Sequence, residues 1–153
     1  MIGTKTRTSQ NISEIFNEAI SSLKNVVPLN HSIGKPTLIE DSIQIGFGVL
    51  IGVTGDMKGK LVFAGDTSIF SSIGEAMFGM PLEGEMLTSF SGELGNMIAG
   101  GFSTNIVHRG VQTDITSPTI MDGNSKVTGF KYALRVDVGF EQAGEMNVYL
   151  LVD

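Results

Sequence analysis

The sequence predicts an α+β domain, built as two helix-plus-three-strand pseudo-repeats with an antiparallel sheet and a long central helix. Three observations carry this reading. Apolar residues recur at helical spacing in three separate stretches. Several other stretches place them at every second position, as strands with one buried face do. Short turns connect those alternating stretches, which favours antiparallel pairing over a wound parallel sheet.

The elements follow in order. Ser9 or Asn11 is a candidate cap for a first helix, whose apolar stripe is Ile12, Ile15, Phe16, Ala19, Ile20 and Leu23. Glu14, Asn17, Glu18 and Ser21 form its polar side, and Pro28 ends it. An extended segment over 33–40 contains Pro36, which suits an edge because proline has no N–H to donate. Ile43, Ile45, Phe47, Val49, Ile51 and Val53 then alternate as one apolar face of a strand. Its other side carries Gln44, Gly46, Gly48 and Gly52, which points to close backbone approach or bending. Residues 55–59 make a turn and 60–64 return as a hairpin partner. Asp66 or Thr67 caps a short helix with Ile69, Phe70, Ile73 and Met77 inward, and Gly79 with Pro81 stops it. A long helix spans about 85–107. Strands near 111–121, 127–140 and 145–152 close the chain, the second with Tyr132, Leu134, Val136, Val138 and Phe140 on one face.

With 153 residues the chain is expected to form one domain, 1–153, large enough for a single core. Its net charge is −6 with no basic run, so nucleic acid is not an expected partner. The absence of cysteine excludes disulfides, thiol nucleophiles and thiolate metal sites. The first ten residues are polar and no apolar run approaches membrane length, so a cytoplasmic protein without membrane attachment is expected.

Familiar catalytic patterns fail. His31 and His108 are the two histidines and do not share a metal-ligand spacing. Residues 52–60 resemble a phosphate loop, but Thr54 stands where its first glycine belongs and Leu61 follows the lysine. Gly46-Phe47-Gly48 lacks the third glycine of a dinucleotide fingerprint, and no serine sits in a Gly-x-Ser-x-Gly turn. The chain therefore offers no nucleophile or metal chemistry of its own.

The long helix is unusual. At about 100° per residue, Phe90, Leu94, Met97, Ile98 and Phe102 fall on one arc, with Ser89, Gly92, Glu93, Asn96, Gly100 and Ser103 opposite. Each glycine in a helix interior costs about 1 kcal/mol relative to alanine. A helix that keeps Gly92, Gly95, Gly100 and Gly101 is expected to have a low profile that another backbone approaches closely. Glu93 and Asn96 are the long polar groups on that strip. A Glu-x-x-Asn pair is weak by itself, since about half a match is expected by chance in this composition. A second copy, Glu14 and Asn17, is expected to be solvated helix surface. The setting of Glu93 and Asn96 distinguishes them: Ser89 lies four residues before Glu93, and Pro118 follows about twenty residues after Asn96.

Ser89-x-x-x-Glu93-x-x-Asn96 followed by Pro118 resembles the signature of the CheC/CheX/FliY phosphatases of bacterial chemotaxis. Residues 51–59, 92–100 and 114–119 are similar to CheX text, and the likeness spans nearly the whole chain. One signature on the central helix points to the CheX branch, since CheC proteins usually carry two. In the first helix Gln10 stands where the signature needs Ser or Asp, so that copy is taken as absent.

The resemblance implies a CheC-like fold and a phosphatase acting on the aspartyl phosphate of a CheY-type response regulator. Such a mixed anhydride already hydrolyses slowly, and the phosphorylated partner supplies Mg²⁺, so no cofactor of the chain's own is expected. Asn96 would position the attacking water and Glu93 would pair with a lysine of the regulator. Ser89, Gly92, Gly100, Ser103 and Pro118 would border the partner. A homodimer joined through sheet edges is implied, with the Pro36 segment or the last strand as candidate edges. The alternative is a non-catalytic chemotaxis or flagellar-switch binding module of the same fold, or a purely structural dimer module.

Overall fold

The computed structural model describes the backbone from Ile2 to Asp153 and side chains from Ile12 onward. Among the described residues, three helices cover one face of an eight-stranded antiparallel sheet. Helix α1 spans Ile2–Val26, α2 Thr67–Phe78 and α3 Gly84–Val107. The strands are β1 His31–Ile33, β2 Thr37–Ile39, β3 Ile43–Gly55, β4 Gly59–Ala64, β5 Thr113–Ile115, β6 Thr119–Val127, β7 Tyr132–Phe140 and β8 Gly144–Val152.

Their order is β1-β7-β8-β4-β3-β5, with β2 also on β7 and β6 also on β3. Taking β1 with β2 and β5 with β6 as two interrupted strands, each half has the same three-strand plan. The interrupted strand of each half lies against the long strand of the other, and β4 meets β8 between them. The main core lies between sheet and helices and includes Phe16, Leu23, Ile51, Phe63, Phe70, Leu94, Ile98 and Phe102. A smaller cluster, with Val62, Ala133, Tyr149 and Leu151, occupies the other face of the sheet.

Five expectations need correction. Helix α1 begins at Ile2, so Ser9 and Asn11 lie inside it and do not cap it; threonine and serine are only mildly poor helix formers, and an existing helix extends cheaply. The extended segment over 33–40 is two strands, because the chain between them is held by the Gly34 N–H donating to Asp137 O at 2.9 Å and Pro36 has no donor. The alternating residues of β3 do not share one face. Its register with β6 shifts between Ile45 and Phe47; Ile43 and Ile45 join the smaller cluster while Phe47 to Val53 join the main core. The strand expected over 111–121 breaks at Thr116-Ser117-Pro118, and β6 then runs on to Val127, so β7 starts only at Tyr132. Finally, the last strand β8 sits between β7 and β4 and has no free edge.

At the start of α2, Asp66 stands at the cap position but makes no side-chain cap hydrogen bond, whereas the other end closes as its sequence dictates. Gly79 closes α2 in the left-handed region at φ 79°, its N–H bonded to Glu75 O.

Candidate functional site on the central helix

Helix α3 is fixed on every side but one. Its underside lies on β3, where a Cβ at Gly95 would stand 2.8 Å from Val49 Cγ1. Its crossing with α1 is locked by the buried Ser22 hydroxyl, which donates to Ile98 O at 2.7 Å. A Cβ at Gly101 would collide with that same hydroxyl. Toward β6, Gly92 makes a notch whose missing Cβ would be 3.6 Å from the Pro118 ring. Pro118 is held there by Thr116, whose hydroxyl accepts from the Gly52 N–H at 2.8 Å while its own N–H donates to Gly52 O at 2.9 Å. Near its end, Ser103 Oγ donates to Thr113 O at 3.0 Å.

These contacts revise the picture of the small-residue strip. Gly92 is buried against Pro118 and Gly95 against β3, the half-buried Gly101 abuts Ser22 of α1, and Gly100 faces open space. Most of the helix glycines therefore admit neighbours within the chain, because α3 touches other elements on more sides than one hydrophobic arc accounts for. Ser103, placed by its helical angle on the open strip, instead fastens α3 to β5.

What stays open is a ridge of Ser89, Glu93, Asn96 and Gly100. Ser89 and Glu93 are exposed and Asn96 is half-buried. Among the described residues, neither the Glu93 carboxylate nor the Asn96 amide has a side-chain hydrogen-bond partner. Three residues apart on a helix, they stand about 5–6 Å from each other, so one partner group can meet both. A free carboxylate can take a cation, and a carboxamide can accept from water while donating to an anion. Among the described residues no base is hydrogen-bonded to the Ser89 hydroxyl, so the ridge shows no nucleophile activated by a neighbouring base. Among the described residues no group of three or more His, Asp or Glu is placed to hold a metal ion, and no helix is long and apolar enough to cross a membrane.

Sequence reasoning missed two things near the ridge. One is the Thr116–Gly52 staple, signalled only by glycines on the second face of β3. The other is an apolar groove of about 790 Å³ between α2 and the start of α3, lined by Phe78, Met80, Leu82, Met86, Phe90 and Glu93 among others. Its signal was a methionine- and phenylalanine-rich stretch where a polar connector is usual.

On β7 and β8 the structure places a set of interacting polar groups whose titrations are shifted. Burial works to raise the Asp137 carboxyl, but hydrogen bonds from Arg135 and Asn147 outweigh it and hold the group below its ordinary range. The Arg135 guanidinium is raised by the same contact with Asp137. Burial raises the Tyr149 hydroxyl, with Arg135 lying over the ring at 5.7 Å.

Comparison with known proteins gives these features a context. The model of the family described as chemotaxis phosphatase CheX matches residues 47–134, more than half of the chain and including the whole of α3. A curated relative, the CheY-P phosphatase CheX of Thermotoga maritima, is 26% identical over 147 residues, covering 92% of this chain and 94% of its own. The solved chemotaxis protein CheX of Desulfovibrio desulfuricans superposes with a TM-score of 0.81 at 17% identity, covering 92% of this chain and 99% of that one. The CheX of a CheX–CheY–BeF₃–Mg²⁺ complex from Borrelia burgdorferi superposes at 0.73 with 24% identity, covering 92% and 96%. Fold, central helix and matched segment coincide, and the chain belongs to the chemotaxis phosphatase CheX family.

Proposed function

We propose that the chain dephosphorylates the aspartyl phosphate of a CheY-type response regulator, with Asn96 positioning the attacking water and Glu93 binding the regulator. The observation that carries this reading is a pair of side chains with no partner among the described residues, on a ridge whose other faces are fastened down. The relative in Thermotoga maritima is a CheY-P phosphatase, and the Borrelia burgdorferi relative forms a complex with CheY.

The chemistry asks little of the chain. Water adds to phosphorus as the bond from phosphorus to the aspartyl oxygen breaks, leaving a free carboxylate and inorganic phosphate. Mg²⁺ belongs to the phosphorylated partner and neutralises the phosphoryl oxygens there. The Asn96 carbonyl oxygen accepts a hydrogen bond from the incoming water and holds it in line, while its NH₂ faces the phosphoryl oxygens. Glu93 would repel a phosphoryl dianion if placed against it, so it pairs with a cationic side chain of the regulator and sets the register of docking. Ser89 and Gly100 border the partner. Gly92 and Pro118 act from beneath by fixing the helix, and Ser103 by tying its end to β5. The protein works in the cytoplasm as a homodimer, joined at the exposed β1/β2 edge where Leu38 is 56% exposed.

The test is phosphate release from phosphorylated CheY-type regulators of the same organism. Asn96→Ala is expected to lower the rate about a hundredfold, the scale of one lost positioning group, while still binding the regulator. An unchanged rate would remove Asn96 from the mechanism. Binding by the wild type without faster release would leave a docking module.

A further inference from the structure

We infer that the apolar groove between α2 and α3, which adjoins the ridge that performs the chemistry, is the affinity-determining seat of the same regulator. The inference rests on the phosphatase reading for the identity of the occupant.

The ridge by itself is too small to hold a protein partner. A specific protein contact covers about 800 Å² on each side, equivalent to a disc of about 16 Å radius. Four ridge residues fall well short of that, so a partner centred on Asn96 must rest on what surrounds α3. Along the axis, Phe90 is about 9 Å and Met86 about 15 Å from Asn96 at 1.5 Å per residue. The groove thus lies within the footprint, and Ser89 and Glu93 line both surfaces.

Its composition fits an anchor. Phe78, Met80 and Met86 are 60%, 53% and 60% exposed, an exposure uncommon for side chains of that size. Methionine adapts its shape to a partner at little energetic cost. The base beneath them is rigid: Ser71 Oγ donates to Leu82 O at 2.9 Å. Leu82 is buried in a notch at Gly74, where a Cβ would stand 2.6 Å from Leu82 Cδ1. The Phe78 ring packs edge-on to Phe90 at 5.7 Å between centroids. A preformed floor under exposed, adaptable side chains favours binding because little order is lost on contact. On the opposite flank of α3, Thr116 and Ser117 are polar and exposed, so the apolar contribution to docking comes from the α2 side.

The experiment uses the double variant Met80→Ser/Met86→Ser, both exposed and away from Glu93 and Asn96. Calorimetric titration with a CheY-type regulator of the same organism, activated with BeF₃ and Mg²⁺, is expected to give a Kd raised about tenfold. Phosphate release at saturating phosphorylated regulator should keep its wild-type kcat. A Kd within twofold of wild type overturns the inference. So does a drop in the protein's own mass by light scattering on substitution, which would mean that a second copy covers the groove. If the wild type binds but releases no phosphate, the phosphatase reading fails while the change in Kd still decides the role of the groove. Phe78→Ala, read the same way, is expected to weaken binding in the same direction.

Discussion

Helices α1 and α3 occupy equivalent places in the two halves, and each carries a glutamate three residues before an asparagine. On α1 the glutamate is occupied: Glu14 meets Arg109 Nη1 at 2.7 Å, and Glu18 takes the same guanidinium at 2.8 Å. On α3 the glutamate and asparagine have no side-chain partner among the described residues and lie on an open ridge. Arg109 follows the end of α3 and uses its charge to clasp α1, so one helix's spare carboxylates close the fold while the other's remain available. Beyond the missing serine or aspartate at Gln10, the two Glu-x-x-Asn pairs thus differ in what the glutamate is already bonded to, a property of the environment and absent from the spacing.

The sharpest test of this contrast compares Asn17→Ala with Asn96→Ala. The α1 substitution is expected to leave phosphate release within twofold of wild type, against the hundredfold loss at Asn96. Equal losses would erase the distinction. Next in size is a pair of glycine substitutions on α3. Gly101→Ala should drive α1 and α3 apart at Ser22 and destabilise by about 1–3 kcal/mol, seen as a fall in Tm. Gly100→Ala meets no neighbour, and is expected to stabilise by up to about 1 kcal/mol. If Gly100 borders the regulator, that gain comes with a higher KM.

Arg109→Ala removes both ion pairs to α1, but the groups are exposed enough that the loss should stay under about 1 kcal/mol and diminish further in salt. Phosphate release should not change. The smallest effect lies off both helices. Because the folded state holds Asp137 below its ordinary range, its contribution is present above the usual carboxylate range and disappears as pH falls through the lowered value. Asp137→Asn should therefore flatten the acid limb of stability in urea titrations at several pH values, with phosphate release unaffected.

Much of this architecture was readable from residues alone. The stripe from Ile12 to Leu23, the β3–β4 hairpin and the stop at Gly79 follow from periodicity and backbone freedom, which are local properties. The features that escaped are relational. The change of face at Ile45 and Phe47 depends on how β6 meets β3, and nothing in the alternation of β3 itself announces it. The break at Pro118 reflects a hydroxyl bonded to Gly52, sixty-four residues away in the chain. The helix glycines were visible as an anomaly, but which neighbour each admits is decided by α1, β3 and Pro118 together. Glu93 and Asn96 stood out through the pattern around them; the groove at Phe78, Met80 and Met86 did not, since exposed apolar residues look like core until the fold shows which side they face.

The crossed arrangement of the sheet has a consequence for how the chain acquires its shape. Since β1 and β2 complete β7, and β5 and β6 complete β3, neither half can satisfy its own backbone without the other. A ribosome must therefore deliver most of the polypeptide before any lasting order appears, and two fragments cut between α2 and α3 would gain structure only by finding one another.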